Sequence, residues 1–333
     1  MFSIDKTKYI VSLGELMLKL TPPKSNERLL RQGVLHTFFG GAEANVSVSL
    51  AVLGRKSRYA TKLPDNAIGL AALDELTSLG IDARITFGGD RIGVYYMEKG
   101  EGQRSPKVIY DRKNSSFSSA EAKDFDYESI FNNCGHFHFT GITPALGENA
   151  AANLLQSCKA AKSAGLTVSC DVNYREKLWG KDEFSKGITE LLPYTDLLIA
   201  NERHLQMLLG MEYDTAPDAH MSSDKIKTAA EILNSKYGIK VLAVTFRQTV
   251  SANINIIKAA LCEGGELYTS SNLEVTIIER SGGGDAFTAG LLYALGEDWS
   301  VDEKLSFALK AEAAKHAKEG DFNLAKIDEI NAV

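Results

Sequence analysis

Residues 273–294 read LEVTIIERSGGGDAFTAGLLYA. A β-branched, strand-like run leads into three glycines at 282–284, and an apolar helical run follows. Strand, turn and helix in direct succession are the building unit of α/β folds. Gly282, Gly283 and Gly284 let the chain take left-handed conformations and let backbone N–H groups approach an anion closely. The helix that follows adds its own unpaired N–H groups and the positive end of its dipole. Together they form a place where a negatively charged oxygen can rest. Asp285 falls in the first turn of that helix, where a carboxylate can take a proton from a hydroxyl. The amides would meanwhile hold the charge that develops on a transferring phosphoryl group. The same residues also suit a plain helix cap behind a flexible turn, since Asp is a preferred capping residue.

Working outward, short apolar runs recur between longer amphipathic ones. Buried strands are expected at 9–13, 136–140, 167–172, 196–200 and 241–246. Each has little polar alternation, as strands covered on both faces do. Helical patterns lie at 43–53, 66–79, 148–164, 182–192, 203–209, 224–237, 285–295 and 302–318. Gly80 and Gly165 stand where two of these helices should stop. Alternation of this kind predicts a doubly wound, mainly parallel sheet with helices on both faces. Two stretches, 14–39 and 91–112, read as strands without intervening helices, with glycines at Gly100 and Gly102. They suggest a small second sheet inserted as a lid over a site, or a surface hairpin without a role. With no repeat and no Pro-rich linker, a single domain spanning 1–333 is expected.

Composition narrows the function classes. The chain has 333 residues, 44% of them hydrophobic and 24% charged, as in an ordinary globular protein. Its net charge of −6 speaks against a nucleic-acid partner. No apolar run approaches the ~18 residues of a membrane helix, and the N-terminus lacks a secretory pattern, so a cytoplasmic protein away from membranes is expected. The four cysteines form no CxxC pair, which suggests neither zinc nor a disulfide framework.

Several polar groups fall where strands should end. Gly40-Gly41-Ala42-Glu43-Ala44-Asn45 opens a helix, and its glycines and side-chain amide suit sugar hydroxyls, or only a turn and cap. Asp171-Val172-Asn173-Tyr174-Arg175 ends a strand, and alternation would set Asp171, Asn173 and Arg175 on one side, at the edge where α/β sheets bind ligands. The Arg fork suits a carboxylate or phosphate. Asn201-Glu202 repeats this placement on the next strand. Tyr110-Asp111-Arg112, with Tyr95-Tyr96 on the neighbouring strand, could close over a small anion or simply pack an edge. His136 and His138 share one strand face and, without a third ligand, read as core. No GxxxxGK[ST] occurs and no GxGxxG follows the first strand, so phosphates are held neither by a Walker loop nor by a Rossmann turn.

Taken together, the motifs resemble the ribokinase-like sugar kinases (the phosphofructokinase-B family), and within them the 2-keto-3-deoxygluconate kinases. The resemblance rests on Gly14-Glu15, GGAEAN at 40–45, YDR at 110–112, DVNYR at 171–175, NE at 201–202, GGGDAFTAG at 282–290 and KHAKEGDFN at 315–323. It implies a mainly parallel central sheet with a small β lid that often mediates oligomers. The implied reaction is ATP-dependent phosphorylation of a primary hydroxyl of an acid sugar, with Mg²⁺ on the phosphates; the alternatives are another sugar, fructose or ketodeoxygalactonate, or a catalytically weak sugar-binding homologue. Asp285 would be the base, and the backbone of Gly282 to Asp285 the anion hole. Gly14, Gly40, Gly41 and Asn45 would hold the sugar, with Tyr95, Tyr110 and Arg112 closing over it. Arg175 would lie between the substrate carboxylate and the ATP phosphates. Asn173 and Asn201 would sit near the phosphates, and Thr245 and Arg247 near the nucleotide. The chain departs from the family pattern at Glu279, where Asp is common, and at His204, where an acid is common. It departs again at 247–253, RQTVSAN, where a glycine turn is usual.

Overall fold

The computed structural model describes residues 2–29, 33–101, 104–212 and 220–333. Gly102 and part of the expected lid stretch, residues 30–32, lie outside them. The chain opens with β1 (Tyr9–Leu13), β2 (Met17–Thr21), β3 (His36–Gly40) and α1 (Ala42–Val52). Then come β4 (Ser57–Leu63), α2 (Ala67–Ser78), β5 (Asp82–Phe87), β6 (Gly93–Glu98), β7 (Lys107–Asp111) and α3 (Tyr127–Phe131). The middle alternates regularly: β8 (Cys134–Thr140), α4 (Glu148–Ser163), β9 (Thr167–Asp171), α5 (Lys181–Thr189), β10 (Leu197–Asn201) and α6 (Glu202–Leu209). After α7 (Ser223–Tyr237) the chain forms β11 (Val241–Thr249), β12 (Ile254–Glu263), β13 (Glu266–Thr269) and β14 (Leu273–Thr276). It closes with α8 (Gly283–Ala294), α9 (Val301–His316) and the short α10 (Ile327–Asn331).

The main sheet runs β13-β12-β11-β10-β9-β8-β1-β4-β5, and β14 also pairs with β12. From β11 to β5 every pairing is parallel; β12, β13 and β14 add an antiparallel edge. Strand alternation sorts the core into two layers. Leu198 and Ala200 of β10 join Phe184, Leu205 and Leu233 from the helices on one face. Leu197 and Ile199 join Leu50, Phe287 and Leu305 on the other. A separate sheet, β3-β2-β6-β7, is built from the two stretches set apart in the sequence. The mainly parallel central sheet with a small second sheet is as expected.

Some expected details are corrected. The sequence reading missed β4 and β5, because SRYATKL carries Arg58 and Lys62 within a strand that also has a buried apolar side. Arg58 is buried against Asp82, and its Nε donates to that carboxylate at 2.7 Å. It also missed β12 and β13. LEVTIIE is a strand only to Thr276; beyond it, the Ile278 and Glu279 N–H groups donate to the His316 carbonyl at 2.8 and 3.1 Å. The last long helix stops at His316 rather than 318.

The topology also places the site. From β1 the chain goes one way to β4 and β5, then returns to the other side of β1 to lay down β8, β9, β10 and β11. Strand order therefore reverses between β1 and β8, and open α/β sheets bind ligands at the carboxyl ends beside such a reversal.

Candidate active site

Two helix N-termini meet at that edge. Gly41 precedes α1, and a Cβ there would come within 2.1 Å of the Glu15 carbonyl, so only glycine allows the approach. Gly282 precedes α8 with φ of +79°, and a Cβ there would meet the Asp321 carbonyl at 2.2 Å. A Cβ on Gly284 would meet no atom within 4 Å, so the turn is open on that side. Between the two helices, the Asn45 amide donates to Asp285 Oδ2 at 2.7 Å. The Gly41 N–H donates to Asn45 Oδ1 at 3.3 Å, which fixes which way the amide points.

Asp285 is 7% exposed. Burial pushes its carboxyl up to about 6, against the Asn45 hydrogen bond and the Arg175 and Lys315 charges, which hold it down. Asp171, at the end of β9, is pushed up to about 8 by burial and by the nearby Asp285 charge. Two carboxyl groups whose environments separate them in this way are a common feature of acid–base sites. Arg175 is exposed and, among the described residues, its side chain has no ion-pair or hydrogen-bond partner, yet its charge is felt by Asp171, Asp285 and His204.

The expected alternation of Asp171, Asn173 and Arg175 on one side stops at Asp171. Asn173 takes φ of +40°, and its N–H and side-chain amide fold back onto the Asp171 carboxylate at 3.2 and 3.1 Å. Asn201 caps α6: its side chain accepts from the His204 N–H at 2.9 Å, while the Asn201 N–H donates to His204 Nδ1 at 3.1 Å. The imidazole thus does what a carboxylate does in a capping box. Burial and the neighbouring Arg175 push it down to about 3, so it stays neutral and able to accept. Thr245 lies beside Asn201 in the β10–β11 register, and Arg247 is exposed two residues on. The RQTVSAN stretch forms the end of β11 and a tight turn, closed by the Val250 and Ser251 N–H groups on the Ile254 carbonyl at 3.0 Å.

The small sheet contributes differently from expectation. Arg112, expected to close over the sugar, is buried with its Nε on Glu15 at 2.7 Å, and its guanidinium lies 5.5 Å from the Tyr110 ring centre. Tyr95 is buried, its hydroxyl donating to Asp321, while alternation turns Tyr96 to the other face. Gly14 ends β1, where its carbonyl accepts from the Tyr59 hydroxyl at 2.8 Å, and Gly40 ends β3 against the Asp321 carboxylate.

Several groups were not singled out in the sequence. Lys19 on β2 is fully buried and pairs with Glu279 at 2.7 Å and Asp321 at 3.0 Å. Burial opposes its charge, but Asp321 and Glu279 more than offset this, so its pKa stays above the ordinary lysine value. Glu279 is correspondingly held low by Lys19 despite burial. The signal for Lys19 was a charge at an inward position of MLKLT. Asp321 lay unmarked inside KHAKEGDFN. Glu43, also buried, accepts from the Thr140 and Thr143 hydroxyls at 2.7 and 2.9 Å.

His136 and His138 are core residues hydrogen-bonded to Thr167 and Ser169. Among the described residues no three His, Cys, Asp or Glu side chains gather around a common point, and no helix is long and apolar enough to cross a membrane.

Comparison with known proteins shows the family. The pattern of the pfkB family carbohydrate kinases matches residues 7–325. A 2-dehydro-3-deoxygalactonokinase of Haloferax volcanii is 30% identical, over 98% of this chain and 96% of its own. The crystal structure of a 2-dehydro-3-deoxygluconokinase from Thermotoga maritima superposes with a TM-score of 0.91 at 37% identity, covering 98% of this chain and 97% of that one. A putative 2-keto-3-deoxygluconate kinase from Enterococcus faecalis gives 0.90 at 30% identity, covering 98% and 96%. Matched over nearly its whole length, the chain belongs to the pfkB family of carbohydrate kinases and is a phosphotransferase.

Proposed function

We propose that this kinase transfers the γ-phosphoryl group of ATP to the terminal hydroxyl of 2-keto-3-deoxygluconate, giving 2-keto-3-deoxy-6-phosphogluconate and ADP. The observation that carries the reading is the Asp285 carboxylate, oriented by Asn45 at the open N-terminus of α8. The sugar hydroxyl oxygen attacks the γ-phosphorus, and the bond from phosphorus to the β,γ-bridging oxygen breaks. The hydroxyl proton passes to Asp285, and the displaced oxygen leaves on ADP. The N–H groups of Gly282 to Asp285 stabilise the charge spread over the transferring phosphoryl oxygens. Mg²⁺, when bound with ATP, would neutralise phosphate charge, held mainly by phosphate oxygens and water.

In this reading Gly14, Gly40, Gly41 and Asn45 line the sugar, and Tyr110 faces it from the small sheet, which acts as a lid and joins subunits. Tyr95 and Arg112 support that sheet from behind, through Asp321 and Glu15. Asn173, Asn201, Thr245 and Arg247 lie along the nucleotide. Arg175, an uncommitted guanidinium near Asp285, serves the sugar carboxylate or the phosphates. The four free, buried cysteines fit a reducing cytoplasm.

The Haloferax volcanii relative favours a second reading, the C4 epimer 2-keto-3-deoxygalactonate. ADP release measured across both acid sugars and fructose separates the two. The gluconate-derived sugar should exceed its epimer in kcat/KM by about tenfold or more, the discrimination a misplaced hydrogen-bonding hydroxyl produces. Preference for fructose would overturn the acid-sugar assignment.

A further inference from the structure

Beneath the glycine turn lies a cation with no role in the chemistry described above. Lys315, near the end of α9, is 0% exposed. Its ammonium donates to the Lys318 carbonyl at 3.0 Å, and among the described residues it has no ion pair. Its Cε would sit 3.2 Å from a Cβ on Gly282, directly behind the backbone that opens α8. Glu279 from the segment before the turn, Asp321 after α9, Lys19 on β2 and Asp285 on α8 all act on its charge. The His316 ring packs beside it under Gly283.

Glu279 and Asp321 both pair with the single Lys19, and the negative charge left over acts on Lys315 without pairing with it. A buried ammonium with one neutral acceptor is costly unless an opposite charge completes it. Burial accordingly pushes Lys315 down to about 8. No carboxylate among the described residues reaches hydrogen-bond distance of its ammonium, which lies just behind the backbone of Gly282.

We propose that Lys315 is a positioning residue for phosphoryl transfer: a buried cation that supports the Gly282 turn from behind and whose field favours a phosphoryl group in front of it. This rests on the kinase reading above. The same ammonium lowers the Asp285 pKa, so it also helps keep the base ionised.

The test uses the whole protein with side-chain ¹³C-labelled lysine, titrated by NMR with and without Mg²⁺ and a non-hydrolysable ATP analogue, whose binding is followed separately by calorimetry. Lys315 should titrate near pH 8 in the free protein. It should rise by about one pH unit or more when the analogue binds, as for a charge gained within a few ångströms. An unmoved titration with the analogue bound overturns the proposal, and failure of the analogue to bind overturns the kinase reading with it. In Lys315→Met, kcat should fall about tenfold or more with both KM values changed less than about threefold, as for an interaction made chiefly in the transition state. Its acid limb should move to higher pH. Wild-type kcat with an unchanged pH profile contradicts the proposal, and if the variant does not fold, the wild-type titration decides.

Discussion

Asn45 and Asp285 stand 240 positions apart in the chain, yet the amide of one donates to the carboxylate of the other at 2.7 Å, joining the first turns of α1 and α8. Two helix ends that each bring glycines and unpaired N–H groups are thereby held at one point. Hydrogen bonding to an ionised carboxylate favours its charged form.

Replacing Asn45 by Ala should therefore slow the reaction and raise the pH at which Asp285 ionises. A hydrogen bond to a charged group contributes roughly 1.5–3 kcal/mol, so kcat/KM should drop about tenfold to a hundredfold. Steady-state kinetics between pH 5 and 8 provide the check. The acid limb should shift upward with the loss of rate, and a loss of rate at unchanged limb position would assign Asn45 to substrate contact alone.

In the native enzyme activity and stability should respond to pH in opposite directions. Asp285 ionises at about 6 when folded, against an ordinary value of 3.8, so the folded state holds that proton to higher pH. Asp171, raised to about 8, does the same. Stability contributed by the protonated forms is present below pH 4 and is lost as pH rises through 6 for Asp285 and 8 for Asp171. Activity needs the ionised base, so kcat/KM should climb through pH 6. Melting temperatures of wild type and Asp171→Asn should diverge as pH rises from 5 to 8.5, the variant being favoured at the alkaline end. Parallel curves would remove Asp171 from this linkage.

Lys19 ties the small sheet to the body of the enzyme. Lys19→Met leaves Glu279 and Asp321 buried without their cation, which costs about 3–5 kcal/mol for a buried pair broken from one side. Thermal unfolding should show a large drop in Tm. Adding Glu279→Gln should recover part of it, because one of the stranded charges is then gone. Equal stability of the single variant and wild type would mean that the pair is not the anchor.

Much of this arrangement was legible in the sequence because it is local. Continuous apolar runs announce strands buried on both faces, and eight helices begin or end within a few residues of their capping signals. The GGGD turn is readable because its chemistry lies in consecutive residues. What was missed depends on distant partners. Arg58 looks like a strand breaker until Asp82 lies opposite it. Arg112 looks free for substrate until Glu15 is found against it. His204 looks like a lost acid, but the capping role needs only a neutral acceptor for the Asn201 N–H. Lys19, Glu279, Asp321 and Tyr95 come from four separate parts of the chain, and only the fold gathers them.

The most direct test is ADP release by Asp285→Asn with 2-keto-3-deoxygluconate, ATP and Mg²⁺, alongside calorimetry of nucleotide binding. If the carboxylate removes the hydroxyl proton, kcat should fall by about 10²–10⁴, the usual contribution of a positioned base, with nucleotide affinity nearly unchanged. A variant that turns over at the wild-type rate would show that the proton leaves by another route.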